Sequence, residues 1–177
     1  MSANEVERMV SYQIGGFAAI AALQGKKVNH VKAHGALANL AAENKQVANA
    51  IARAVYAVDK HLILLAIAGT QLQYAGERAQ LHTVAEGFAD RAYDKQGLLV
   101  PRSIQGAVIK DAKIAAQRSV EMAQGKGLPC IEGGYIACQV ESICVHGDTP
   151  GAVGITQMVR EELISAGFKI QSFSSNA

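Results

Sequence analysis

The segment that most constrains the fold is the apolar run His61–Ala68, which reads HLILLAIA. A strand with one face in water alternates apolar and polar side chains, whereas a strand covered on both faces is apolar throughout. Gly69 and Thr70 follow the run and lead into an amphipathic segment. A buried strand that turns directly into a helix is typical of a parallel sheet.

The rest of the chain repeats this order of strand and helix. Hydrophobic periodicity predicts helices over residues 4–24, 39–58, 71–80, 111–124 and 151–166. Shorter apolar runs predict strands over residues 28–31, 61–68, 81–88 and 142–145, with a hairpin over 128–137. Alternating strands and helices indicate right-handed βα units, so we predict a single α/β domain over residues 1–177 with four parallel strands.

The composition argues against several classes of function. The 177 residues carry a net charge of only +2 and no Trp, and the basic residues are scattered, so we expect no nucleic-acid surface. No apolar segment approaches the ~18 residues that cross a bilayer. The three cysteines are an odd number without CxxC spacing, which favours reduced thiols. We therefore expect a cytoplasmic protein that binds neither nucleic acid nor a membrane.

Three of the predicted strands end on ionisable residues. In chain order, the pairs are Lys32 with His34, Asp90 with Arg91, and His146 with Asp148. In a parallel barrel the carboxyl ends of the strands lie on one rim, which is where such folds place their catalytic groups. These side chains are therefore predicted to form one site.

The strongest of these pairs is His146 with Asp148. Residues two apart on an extended strand share a face, so the carboxylate could orient the imidazole, or both could bind a metal. An alternative is that Asp148 caps the helix that follows Pro150, and one carboxylate can serve both purposes. His34 is a candidate general base or metal ligand, or a donor to a carbonyl.

The remaining candidates are charged residues with two possible roles. Asp90 and Arg91 form either a structural ion pair or an acid and an anion clamp. Arg102, in a long loop after Pro101, is either a bidentate ligand for a carboxylate or phosphate or a solvated loop residue.

Four segments of the chain together resemble the LamB/YcsF family, whose characterised bacterial members are the A subunits of 5-oxoprolinases. They are residues 28–37 (VNHVKAHGAL), 88–93 (FADRAY), 99–103 (LVPRS) and 145–153 (VHGDTPGAV). The resemblance runs from about residue 5 to residue 167, with the motifs in the family's order. The first motif departs from the family's Lys-Pro-His-Gly-Ala-Leu-Tyr-Asn at Ala33 and Ala38.

The resemblance implies a seven-stranded (β/α) barrel of the glycoside hydrolase/deacetylase type. It also implies ATP-dependent hydrolysis of 5-oxo-L-proline to L-glutamate, with ATP as co-substrate and partner subunits B and C. The residues that match family motif positions are Lys32, His34, Asp90, Arg91, Arg102, His146 and Asp148. Within this set we assign catalysis to His146, Asp148, Asp90 and His34. Substrate or phosphate binding is assigned to Lys32, Arg91 and Arg102, and no metal ligand is assigned.

Family members begin with an Asp-Leu-Asn-Cys-Asp-Leu-Gly-Glu strand and two further strands that have no counterpart here. The resemblance thus implies an N-terminally truncated member with about four of seven strands, the C-terminal two-thirds of the barrel. Three functions stay open. The chain is an active 5-oxoprolinase component, or a catalytically inactive remnant that acts only in assembly, or a metal-dependent deacetylase-like hydrolase. An inactive remnant would pair with itself or with an N-terminal complementing fragment through an open sheet edge.

Overall fold

A computed structural model describes residues 1–172. In chain order, its elements are α1 (Ala3–Leu23), β1 (His30–Lys32), α2 (Gly35–Glu43), α3 (Lys45–Val58), β2 (Ile63–Ile67), α4 (Gln71–Arg78), β3 (Thr83–Phe88), α5 (Ala112–Ala123), β4 (Leu128–Pro129), β5 (Tyr135–Ile136), β6 (Ser142–Cys144) and α6 (Ala152–Ser165). Within these residues, four parallel strands form one sheet in the order β1-β2-β3-β6. The predicted fold class, a parallel α/β sheet flanked by helices, is confirmed. The chain divides into two compact units, the first ending at Val84 and the second beginning at Ala85.

The first unit is built around the parallel pair β1–β2, in which Val31 lies opposite Leu64. Leu64 is fully buried in a core that includes Ile51 and Val55 of α3 and Val10 of α1. Each such side chain contributes roughly 1.5–3 kcal/mol when it is removed from water. Packing of helices on this face therefore holds β1 and β2 in place.

The helix predicted over residues 39–58 is two helices, because Asn44 interrupts it. Asn44 is extended (φ −96°, ψ 105°), and its side-chain oxygen accepts the backbone N–H groups of Gln46 at 3.0 Å and Val47 at 3.1 Å. It is thus the N-cap of α3. Periodicity misses the break because the apolar pattern continues through it.

The second unit contains the parallel pair β3–β6, in which Phe88 lies opposite Cys144. Helices α5 and α6 cover one face of this pair, where Ala89 packs with Ile155 and Ile143. Side chains alternate along a strand, so Phe88 and Cys144 project from the opposite face. The predicted hairpin is confirmed as the antiparallel pair β4–β5.

Among residues 1–172, no helix combines the length and the apolar character that crossing a membrane requires. Within the same residues, Cys130, Cys138 and Cys144 form no disulfide. The cytoplasmic location stays a prediction.

We predict that Gly127→Ala destabilises the protein more than Gly133→Ala. Both glycines have φ +94°, so both substitutions cost about 1–2 kcal/mol for a left-handed backbone. A Cβ at Gly127 would also overlap the Ile136 carbonyl oxygen, whereas a Cβ at Gly133 meets nothing within 4 Å. That overlap adds roughly 1–3 kcal/mol of overpacking.

Urea denaturation of the two variants measures the difference, and Gly133→Ala is the matched control for backbone strain. The entropy lost by the unfolded chain is the same in both substitutions and cancels. Equal free energies of unfolding in the two variants would contradict the close approach of Gly127 to β5.

Candidate active site

Asp90 and His146 meet just beyond the carboxyl ends of β3 and β6. The ladder continues past Phe88, because the Ala89 N–H donates to the Cys144 carbonyl oxygen at 2.9 Å. The next residues on the face of Phe88 and Cys144 are therefore Asp90 and His146. His146 Nδ1 lies 2.8 Å from Asp90 Oδ1. The register thus brings together two predicted site residues that are far apart in the chain.

Asp90 is a fully buried carboxylate with three hydrogen-bond donors around it. Besides the imidazole, the His146 backbone N–H donates to Oδ2 at 3.1 Å and the Thr149 hydroxyl donates to Oδ2 at 2.9 Å. Burial raises the pKa of Asp90, but the hydrogen bonds from His146 and Thr149 outweigh it and lower the pKa below its ordinary value. Asp90 is therefore ionised at neutral pH.

The hydrogen bond to Asp90 sets the chemistry of the His146 ring. An ionised carboxylate only accepts, so Nδ1 carries the hydrogen and Nε2 is the nitrogen that can exchange a proton. The imidazole side chain is 15% exposed, and the Phe88 ring stands edge-on to it with a centroid distance of 5.0 Å. A carboxylate that orients an imidazole in this way makes it a candidate general acid and base.

Asp148 is the predicted partner of His146, and the structure gives it a different partner. Asp148 Oδ2 lies 3.1 Å from Arg102 Nη1, and both side chains are exposed. The Thr149 N–H donates to the His146 carbonyl oxygen at 3.3 Å, so the chain turns and does not continue as the extended strand that the prediction requires. Asp148 does not cap α6 either, because Gly151 is at the N-cap with no side-chain hydrogen bond.

Arg91 has a buried guanidinium that holds the loop after β3. Its Nη2 donates to the Val100 carbonyl oxygen at 2.8 Å and its Nε donates to the Ala107 carbonyl oxygen at 3.4 Å. Among the residues that the structure describes, no ion pair joins Arg91 to Asp90. Burial and the neighbouring charge of Arg102 lower the pKa of Arg91. Its role as an anion ligand stays a prediction, and its observed contacts are structural.

Lys32 and His34 belong to the first unit, where both line one cavity of about 440 Å³. Met9, Ile14 and Phe17 of α1 provide apolar walls for the same cavity. His34 is exposed at the N-cap position of α2 and makes no capping hydrogen bond with its side chain. The prediction that Lys32 and His34 project together agrees with this placement, and their catalytic and binding roles stay predictions.

The described residues offer no ready-made metal centre. Among residues 1–172, no three His, Cys, Asp or Glu side chains gather in a way that could hold a metal ion. Asp90, the carboxylate that contacts His146, already accepts three hydrogen bonds from the protein.

Three residues outside the predicted site set support the site. Thr149 binds Asp90, and the buried Tyr93 accepts the Phe88 N–H at 2.7 Å through its hydroxyl oxygen. Burial raises the pKa of Tyr93, so this hydroxyl stays protonated. Arg118 of α5 donates to the Arg91 carbonyl oxygen at 2.8 Å. Thr149 and Tyr93 lie inside the family-like motifs, which is the signal that could have found them, whereas nothing in the sequence marks Arg118.

We predict that Asp90 makes the stability of the protein depend on pH in the acid range. Its pKa is lower in the folded state than the ordinary 3.8, so its contribution is present above that value and is lost as the pH falls through the folded pKa. Urea unfolding from about pH 7 to about pH 3 should show this loss in the wild type. In Asp90→Asn, the free energy of unfolding should fall less steeply as the pH is lowered in this range.

Asp148→Asn is the matched control for this measurement. The hydrogen bond and charge of Arg102 lower the pKa of Asp148 as well, but solvent and salt screen this exposed pair. Its acid slope should stay close to that of the wild type. If the unfolding free energy of Asp90→Asn depended on pH as strongly as that of the wild type, the role given to the buried carboxylate would be contradicted.

Comparison with known proteins agrees with the four motifs. The LamB/YcsF family profile matches residues 1–177. The 5-oxoprolinase A subunit of Rhodopseudomonas palustris (strain BisB18) is 47% identical over 174 residues, which are 98% of this chain and 68% of that protein. The second of the 5-oxoprolinase A subunits of Bradyrhizobium diazoefficiens is 46% identical over 177 residues, covering 100% of this chain and 69% of that protein.

A crystal structure of a lactam utilization protein from Thermus thermophilus matches with a TM-score of 0.86 and 37% identity. The match covers 98% of this chain and 69% of the Thermus chain. Since the family profile spans all of its residues, the chain belongs to the LamB/YcsF family.

Proposed function

We propose that this chain works as the A-type component of a 5-oxoprolinase, which hydrolyses 5-oxo-L-proline to L-glutamate. Relatives at 46–47% identity carry that name, and the similar Thermus protein is named for the use of lactams, the chemical class of 5-oxoproline. Within this chain, the observation that carries the proposal is the 2.8 Å contact between His146 Nδ1 and Asp90 Oδ1.

In this proposal His146 moves the protons of the hydrolysis. Water must lose a proton as it attacks the lactam carbonyl carbon. The lactam nitrogen must gain a proton as the carbon–nitrogen bond breaks. Nε2 of His146 accepts the first proton and donates it to the leaving nitrogen. Asp90 stabilises the imidazolium that exists between these two transfers.

The proposal includes ATP as a co-substrate. Amide resonance makes the lactam carbonyl a weak electrophile, and transfer of the terminal phosphoryl group of ATP to its oxygen would activate it. One water would then add to the activated carbon, and the carbon–nitrogen bond would break to open the ring and leave glutamyl phosphate. A second water would hydrolyse this acyl phosphate, so that the products are ADP, phosphate and glutamate. A cytoplasmic location is part of the same proposal, because the proposed reaction consumes ATP.

Arg102 is the residue that we propose for binding an anion of the substrate or the phosphate. A guanidinium binds carboxylate and phosphate through two parallel hydrogen bonds. Its present partner is Asp148, at 3.1 Å, and the side chains of the pair are 49% and 64% exposed. Exposed pairs contribute only about 0–1 kcal/mol, so a substrate anion can replace Asp148 at little cost.

Partner subunits B and C are part of the same proposal. The relatives are named as one subunit of an enzyme, which supports a complex of several chains. The Asp90–His146 contact favours an active chain over the alternative that acts only in assembly. No observation favours the metal-dependent deacetylase alternative.

We predict that His146→Gln lowers turnover by about 10²–10⁴-fold, because the variant keeps a polar side chain but loses the proton-transfer group. The assay follows glutamate release from 5-oxoproline and ATP by the chain assembled with subunits B and C. His61→Gln is the matched control, since His61 is exposed in the turn before β2.

Two outcomes of this assay separate the candidate functions. Turnover that survives His146→Gln would remove His146 from the mechanism. A wild-type complex that assembles but releases no glutamate would favour the role in assembly alone.

We predict that Arg102→Gln raises the KM for 5-oxoproline or for ATP by about 10-fold and changes kcat less, because the lost ion pair acts on the bound anion. Steady-state kinetics with each substrate varied in turn identifies which anion Arg102 binds. Arg53→Gln is the control, because Arg53 is also an exposed arginine paired to a carboxylate, that of Glu7 at 2.6 Å. Unchanged KM values for both substrates in Arg102→Gln would rule out this assignment.

A further inference from the structure

Thr149 occupies an unusual position between the Asp90–His146 pair and helix α6. It is buried, and its hydroxyl donates to Asp90 Oδ2 at 2.9 Å. Its backbone N–H donates to the His146 carbonyl oxygen at 3.3 Å, and its own carbonyl oxygen accepts the Ala152 N–H at 3.0 Å. One short turn therefore carries both the imidazole and the hydroxyl to the same carboxylate.

The three donors around Asp90 define the orientation of its carboxylate plane. Oδ1 receives the imidazole, whereas Oδ2 receives the backbone N–H of His146 and the hydroxyl of Thr149. Without the hydroxyl, the backbone N–H at 3.1 Å is the one protein donor to Oδ2 among the described residues. A carboxylate that has lost one of its two Oδ2 donors is held less firmly, so it can rotate about its Cβ–Cγ bond and move Oδ1 away from the imidazole ring.

A simple capping role does not account for this hydroxyl. Ser and Thr near a helix start usually accept a backbone N–H of the first turn. Helix α6 has Gly151 at its N-cap and no side-chain capping bond. The Thr149 hydroxyl instead acts as a donor, and its acceptor is the Asp90 carboxylate.

We propose that Thr149 is a positioning residue, whose hydroxyl fixes the Asp90 carboxylate so that it holds His146 with the hydrogen on Nδ1 and Nε2 ready to accept a proton. A neutral imidazole in water prefers the hydrogen on Nε2, so the protein must impose the opposite tautomer. The inference rests on the proposed function only for its effect on turnover. Its effect on the imidazole is a property of the folded chain.

The test measures the tautomer of His146 directly. The protein is labelled with ¹⁵N-histidine, and ring nitrogen shifts are recorded near pH 8.5, where an ordinary imidazole is neutral. The His146 signals are identified by their loss in His146→Gln. Wild type should show the hydrogen on Nδ1.

Two variants of Thr149 separate the hydroxyl from the rest of the side chain. Thr149→Val keeps the shape and removes the donor, so His146 should shift toward the Nε2–H form. Thr149→Ser keeps the donor and removes only a methyl group, so it should retain the wild-type tautomer. In the assembled enzyme, Thr149→Val should lose about 10- to 100-fold in turnover, the size of loss known for groups that orient metal-binding histidines, and Thr149→Ser should lose little.

Each outcome decides the proposal. A wild-type His146 with its hydrogen on Nε2 overturns it before any variant is made, so it stays testable even if Thr149→Val fails to fold. A folded Thr149→Val that keeps the Nδ1–H form also overturns it. The third outcome is that the His146 tautomer is as expected in the wild type and in both variants, but neither the wild type nor the variants hydrolyse 5-oxoproline. The positioning role then stands and the proposed function fails.

Discussion

The parallel register of β3 with β6 is the constraint on which the candidate active site depends. A shift of one residue would turn every side chain of one strand to the other face. Asp90 would then point toward the helices that cover Ala89, and it would no longer face His146. Helix α5 packs directly on β3 at Gly87, since a Cβ there would lie 2.7 Å from the Met122 sulfur. This close packing enforces the register, because a shifted strand would put a side chain at that position.

The same register explains how the protein tolerates a buried charge. Removing an isolated carboxylate from water is very costly, and proteins compensate with hydrogen bonds to the charged form. The turn after β6 provides these bonds to Asp90 from His146 and Thr149. Asp148 lies in the same turn but remains in solvent, where its pairing with Arg102 is weak and exchangeable. Two carboxylates of one turn region thus differ in environment, since Asp90 is buried against the imidazole and Asp148 is exposed beside Arg102.

The two units carry different parts of the family's motifs. The second unit holds the Asp90–His146 pair and the loop with Arg102, and Arg91 fixes that loop through carbonyl oxygens. The first unit holds Lys32 and His34 at a cavity with apolar walls. The LamB/YcsF family profile spans the residues of both units.

The sequence by itself determined the fold class and the family, and it identified Asp90 and His146 as candidates before their contact was known. It could do so because strand and helix periodicities are local, and because the motifs around His34, Asp90, Arg102 and His146 are contiguous. It missed the break at Asn44, since a single capping residue does not disturb the apolar pattern. Which carboxylate binds His146 was decided by the tertiary structure alone. Asp148 is closer in sequence, but the chain turns after His146, and the pairing of β3 with β6 puts Asp90, 56 residues away, within 2.8 Å of the ring.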